Sequence, residues 1–307
     1  MRLTSLLSLM CVSAFLLLAG VAATLAEADG PAVSGVNGKL SPFGGGIGAE
    51  TLDDGAGGIA GSLTLPVAHS FGLQLDGAYA RLSDDDFANA GAHLFWRDPD
   101  VGLVGLYAGY AWLDESGGQE VGRVGLELQR FIHRITLDGA LGYRFGDIDD
   151  DLYGRAKLDY YLTDDLMLFA GYSYEGLGFA TVGAEYQFAS RERVGTALFA
   201  EASLNDSSDY GVLGGLRVFL GEDMSLIGRH RRQDPPSYTM QDMLAVAQAA
   251  AKAQSRRPGS EPRPVCPVTT CLAPDDPCAC PSGYEKRAVC GNTCQVAGGG
   301  GCQGWGC

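Results

Sequence analysis

Beyond its first 28 residues the chain has no apolar run of the roughly 20 residues that a membrane-spanning helix needs. If the mature protein crosses a membrane it must do so with strands, because only helices and closed barrels satisfy their backbone in lipid. Histidine is scarce, with four in 307 residues, and none is placed with the serine and orienting acid that a hydrolase requires. No Gly-x-Ser-x-Gly, Walker A or His-Glu-x-x-His sequence occurs. No catalytic residue, cofactor or metal is therefore assigned. Basic residues are outnumbered, unevenly: Asp29 to Leu220 holds 28 acidic and 12 basic residues, Gly221 to Cys307 only 8 and 9. Such an acidic surface repels phosphate backbones and argues against nucleic acid as a partner. Cysteine is missing from residues 29 to 265.

What is present begins with Arg2, an apolar run from Leu6 through Ala23, and Ala26-Glu27-Ala28, a small-x-small pattern of the kind signal peptidase reads. Residues 1–28 are expected to be a signal peptide, which takes Cys11 with it, and the mature chain to start near Asp29. A signal peptide with no spanning helix after it fits a secreted, periplasmic or outer-membrane protein.

From Val33 to Leu220 short segments alternate in polarity and stop at clusters of Asp, Gly, Ser or Pro. Leu73, Leu75, Gly77 and Tyr79 oppose Gln74, Asp76, Ala78 and Ala80. Leu158, Tyr160 and Leu162 oppose Arg155, Lys157, Asp159 and Tyr161. Strands are expected to start near Val36, Gly58, Phe71, Phe87, Val101, Glu120, Ile132, Leu152, Leu166, Leu177, Val194 and Tyr210. That makes about twelve strands of around 10 residues, the length of a tilted membrane-spanning strand. Ionisable groups fall on one face only: Asp76, Glu127, Asp138, Arg144, Arg155, Lys157, Asp159, Glu185, Glu201 and Arg217. They suit a charge network in a polar lumen. The fold class is all-β, an up-and-down antiparallel transmembrane barrel over residues 29–220, followed by a short tail helix and a small disulfide-rich module.

If both chain ends are periplasmic, Asp53-Asp54, Asp84 to Asp86, Asp114-Glu115, Asp147 to Asp151 and Asp206/Asp209 fall at the outer hairpin tips, while Arg130, His133, Arg134, Arg191 and Arg193 fall at the inner turns. Asp147 to Asp151 is not an EF-hand loop, since Leu152 stands where that loop needs glycine.

On this pattern the region Val33–Leu220 resembles bacterial outer-membrane barrels of the porin-like superfamily. In that family the last strand ends in a signal for the barrel assembly machinery, and Gly215-Leu216-Arg217-Val218-Phe219-Leu220 is similar to it. Ser225 to Pro236 resembles a segment of proteobacterial barrel proteins to which no activity is attached. The resemblance implies contact with outer-membrane lipid and with that assembly machinery.

Residues 221–264 form a tail. Thr239 and Asp242 resemble a capping box, and Met240, Met243, Leu244, Ala247 and Ala251 share a helical face that should end by Pro258. Arg257 to Pro264 is a stiff linker. Residues 265–307 hold Cys266, Cys271, Cys278, Cys280, Cys290, Cys294, Cys302 and Cys307. In an exported chain these are expected to form disulfides, and the Cys-x-Cys and Cys-x3-Cys spacings do not suit zinc. The expected function is a non-enzymatic barrel, either a narrow channel or a structural membrane protein, with a tail module that reaches a periplasmic partner. The alternatives are an adhesin-like binding protein acting through the Cys-rich module and, third, a membrane lipid hydrolase.

Overall fold

The computed structural model describes residues 29–49, 52–82, 84–114, 118–147, 151–174, 178–205, 210–235, 237–239, 242–243, 284–287 and 293–296. Twelve strands dominate: β1 (Asn37–Ala49), β2 (Leu52–Ala68), β3 (Phe71–Leu82), β4 (Asp85–Asp98), β5 (Gly102–Leu113), β6 (Gln119–Ile132), β7 (Ile135–Gly146), β8 (Asp151–Tyr161), β9 (Leu166–Tyr174), β10 (Gly178–Arg191), β11 (Val194–Asn205) and β12 (Tyr210–Leu220). Each pairs antiparallel with its sequence neighbours, and β12 returns to β1, so the sheet closes into an up-and-down barrel. Closure leaves no row of unpaired backbone groups, which is the condition for a sheet to stand in lipid. The one gap in the β1–β12 register falls at Ser41–Pro42, where proline has no N–H to give.

The chain divides into two compact units, residues 1–251 and 252–307. In the first, β12 is followed by a short helix, α1 (Leu226–Arg232). In the second, β13 (Tyr284–Arg287) pairs with β14 (Thr293–Val296) as a two-stranded sheet. The expected signal peptide, the linker from Arg257 to Pro264 and Cys266, Cys271, Cys278, Cys280, Cys290, Cys302 and Cys307 lie outside the described residues; Cys294 is placed by its backbone on β14.

Alternation sorts the side chains. Leucines paired across six consecutive strands, Leu65, Leu73, Leu94, Leu106, Leu126 and Leu141, run along the outside. Leu106 is 57 % exposed and Val182 58 %, and Leu75, Tyr79, Leu158, Tyr186 and Leu198 are exposed beside them. A continuous apolar surface of this extent is unfavourable in water and costs nothing against hydrocarbon. The opposite parity is buried and polar: Lys39, Thr64, Gln74, His93, Arg97, Arg123, Glu127, Asp138 and Glu185 all face inward.

The two ends differ. At the end where Asn37 enters and Leu220 leaves, the hairpins at His69–Ser70, His133–Arg134 and Glu192–Arg193 turn in two residues. Two of these turns hold His133 and Glu192 at positive φ, the left-handed conformation that matches the twist of tight hairpins. The other connections at that end, 99–101 and 162–165, have three and four residues, and those at the opposite end range from two residues (50–51, 83–84) to five (114–118). Eleven of the twelve expected strand starts lie within three residues of the observed ones. β2 begins at Leu52, ahead of the expected Gly58, because its first residues, Leu52-Asp53-Asp54-Gly55-Ala56-Gly57, do not alternate.

Candidate functional site

The lumen is the candidate site, and its inner surface is built from paired strand positions. His93 on β4 lies between two carboxylates, with Nε2 2.8 Å from Asp76 and Nδ1 2.9 Å from Glu127. Arg155 donates to Asp138 (2.7 Å), which also accepts from Gln129 (2.9 Å). Lys157 and Asp159 are 2.9 Å apart, and Arg217 donates to Glu185. Arg144 is buried on the same parity, and Glu201 lines the lumen next to Phe199. All ten residues of the expected charge network thus lie on the lumen side, divided into separate small groups. Among the described residues, no group of three His, Cys, Asp or Glu side chains is arranged to hold a metal ion.

Two tyrosines lie against this wall because it is glycine there. Gly91 and Gly109 are cross-strand partners, and a side chain at Gly109 would overlap the Tyr107 hydroxyl. Gly125 and Gly142 are partners in turn, and a side chain at either would collide with the Tyr153 ring or hydroxyl. The recesses let both rings lie back and leave an axial space.

That space is filled by the tail. After β12 the chain forms α1 across the mouth where β1 begins and β12 ends. Arg229 donates to Gln187 (2.8 Å), Ser190 (3.0 Å) and Gln233 (3.0 Å). Leu226 is buried with Tyr161, Met167, Ala197 and Phe219. The segment ahead of β1 closes the same mouth: Ala32 and Val33 pack on Phe95 and Leu103, and Ser34 N–H donates to the Arg232 carbonyl (2.8 Å). Arg97, fully buried, donates to the carbonyls of both Ala32 and Gln233 (3.1 Å each).

From there the chain runs along the lumen. Lys39, the third residue of β1, pairs with Asp234 at 2.5 Å. Gln74 donates to the Pro235 carbonyl (3.2 Å). At mid-height the Tyr238 ring stacks on Tyr107 (centroids 4.4 Å apart), with the Arg155 guanidinium 4.1 Å over its face and its hydroxyl 3.5 Å from Glu127. Higher still, Arg123 pairs with Asp242, which accepts from Asn89 as well (2.6 Å). Met243 then joins Leu82, Phe87, Leu113, Val121 and Phe179, residues at or near the hairpin ends of their strands.

The sequence predicts a periplasmic tail with an amphipathic helix from Thr239. Thr239, Asp242 and Met243 are helical, but the place of the segment differs. Residues 234, 235, 237–239, 242 and 243 lie inside the barrel, where Asp234 meets buried Lys39 and Asp242 meets buried Arg123. Asp242 N–H does donate to the Tyr238 carbonyl in helical fashion (2.9 Å), but Met240, Leu244, Ala247 and Ala251 lie outside the described residues. Lys39, His93, Arg97 and Arg123 share the parity of the ten expected lumen residues, so alternation alone would have found them. Asp234, Tyr238 and Asp242 carry no periodic signal.

A barrel closed on itself, apolar outside, polar within and threaded by its own chain leaves one architecture. The fold is that of an outer-membrane β-barrel. No family model and no curated sequence matches the chain. Among solved structures it is similar to a KdgM porin (TM-score 0.41, 10% identity, 58% of this chain and 97% of that one). It is also similar to the translocator domain of the autotransporter NalP from Neisseria meningitidis (0.43, 14%, 66% and 92%) and to a FadL homologue from Pseudomonas aeruginosa (0.34, 11%, 55% and 68%). These are likenesses of architecture.

Beside the tail, between it and the β8–β12 side of the wall, a cavity of about 130 Å³ remains, lined by Lys157, Asp159, Glu185, Glu201, Arg217 and Asp234 among others. It has room for on the order of ten waters.

Proposed function

We propose that this protein is a non-enzymatic barrel of the outer membrane, porin-like in architecture, whose lumen is held shut by its own tail. The observation that carries the proposal is the segment from Asp234 to Met243, anchored to the wall near the lower mouth, at mid-height and near the upper rim. About eight strands enclose a lumen that side chains fill, and about sixteen leave an aqueous channel. Twelve strands fall between, and here the tail occupies part of what the wall side chains leave open, beside the remaining cavity. The lining is charged and paired, so the passage exposed by withdrawing the tail is narrow and polar. His93 is held by two carboxylates at the centre of the barrel, far from the rim where a lipid hydrolase would meet its substrate. The apolar exterior takes outer-membrane lipid as its partner, and Gly215 to Leu220 serves the barrel assembly machinery.

The test is ion conductance in a planar bilayer. The intact protein is expected to stay closed, and the double variant Tyr238→Ala/Asp242→Ala to show discrete openings. Steady conductance by the intact protein, or a variant that folds and stays silent, would overturn the proposal.

A further inference from the structure

We infer that the barrel carries the chain across the membrane a thirteenth time, through its own lumen, and so presents the cysteine-rich C-terminal module on the cell surface. The inference rests on the reading of the molecule as an outer-membrane barrel with its lower mouth in the periplasm. Its own support is the order of contacts along the tail. Asp234 meets Lys39 three residues into β1, and Tyr238 meets Tyr107 and Arg155 at mid-height. Asp242 meets Asn89 and Arg123, each the fifth residue of its strand counted from the hairpin end. Met243 belongs to a buried cluster that runs from Phe43 and Ala78 up to Leu82 and Leu113, the last residues of β3 and β5. Every step is upward, from the mouth that holds both ends of the barrel sequence to the opposite mouth.

Past Asp242 four residues of β4 and four of β6 remain before the upper rim. For the module to lie in the periplasm the chain would have to descend the lumen again beside itself. The cavity beside the tail is lined by Lys157, Asp159, Glu185 and Arg217, which are already paired with one another. A second pass would also bring in N–H and C=O groups that need partners in a lumen already occupied. The even strand count places both ends of the barrel below, and the trans-lumen segment reverses that for everything downstream.

The consequence is functional. The acidic outer tips and the module then face the same medium, and whatever binds the module binds from outside the cell. The barrel is its mount and the plugged lumen its tether, so closure and display are served by one stretch of chain.

Sidedness is directly testable with the whole protein in cells. Intact cells are treated with trypsin, which can cut after Lys252, Arg256, Lys286 and Arg287, and the membrane-retained chain is reduced and weighed. An epitope appended after Cys307 is probed in parallel with an antibody that cannot cross the outer membrane. Loss of the C-terminal peptides and antibody binding on intact cells are the expected results. Protection from trypsin with epitope detection only after the outer membrane is permeabilised would overturn the inference. Heat-modifiable migration on SDS gels reports barrel folding in the same samples, and bilayer conductance reports the plug. A closed, folded barrel with a periplasmic epitope therefore defeats the display inference alone, whereas steady conductance defeats the plug.

Discussion

Tyr238 holds the middle of the plug through shape more than through its hydroxyl. Its ring stacks on Tyr107 and receives the Arg155 guanidinium on its face, contacts that depend on the aromatic surface. Its hydroxyl is 3.5 Å from Glu127, at the limit of a hydrogen bond. Tyr238→Phe is therefore expected to leave the plug docked, and Tyr238→Ala to weaken docking by about 3 kcal/mol, the usual cost of deleting a buried aromatic ring. The midpoint of heat-modifiable migration and the opening frequency in bilayers should both move for the alanine variant and hold for phenylalanine. Asp242→Asn probes the other anchor. It keeps the shape and removes the charge that faces buried Arg123, and losing one partner of a buried ion pair typically costs about 3–5 kcal/mol. An asparagine variant that stays closed and as heat-resistant as the parent would count against this anchor.

At the scale of the element, α1 is the part most exposed to pH. His230 is pushed well below the usual histidine range, first by burial and then by the positive charges of Arg217, Lys39, Lys157 and Arg229. Its Nδ1 meets the Tyr161 hydroxyl at 2.9 Å. Glu185 lies 3.6 Å from Nε2 but is already paired with Arg217. The docked helix binds a proton less readily than the undocked one. Docking is therefore at full strength above about pH 6.5, the ordinary histidine value, and weakens as pH falls below it. Opening in bilayers should rise between pH 7.5 and pH 5, and His230→Gln should flatten that dependence; an unchanged response in the variant would remove His230 from the account.

The same element marks where the sequence stops being legible. The strands could be drawn because a wall that faces lipid on one side and water on the other forces a period of two, and ten lumen residues followed from it. α1 has a glycine at Gly228 and only two aliphatic side chains, Leu226 and Ile227, so nothing in its pattern separates it from a basic loop. The plug is harder still. Its partners Lys39 and Asn89 lie 195 and 153 residues from Asp234 and Asp242. A short segment that matches a lumen by charge at two points and by an aromatic ring at a third has no period to betray it.

At the scale of the whole molecule the lipid-facing belt is the claim on which the others depend, and it can be separated from a soluble barrel by where charge is tolerated. Leu106 sits mid-strand on β5, outward and paired with Leu94 and Leu126. Leu162 is also exposed but lies at the turn beyond β8. In lipid an arginine costs about 2–4 kcal/mol at the bilayer midplane and about 0–1 near the interface. In water either substitution on an exposed strand face is close to neutral. Leu106→Arg is therefore expected to lower the stability of the refolded barrel in lipid vesicles by about 2–4 kcal/mol relative to Leu162→Arg, measured by denaturant titration. A soluble barrel gives no such gradient, so equal stabilities for the two variants would withdraw the membrane from beneath the plug and the displayed module alike.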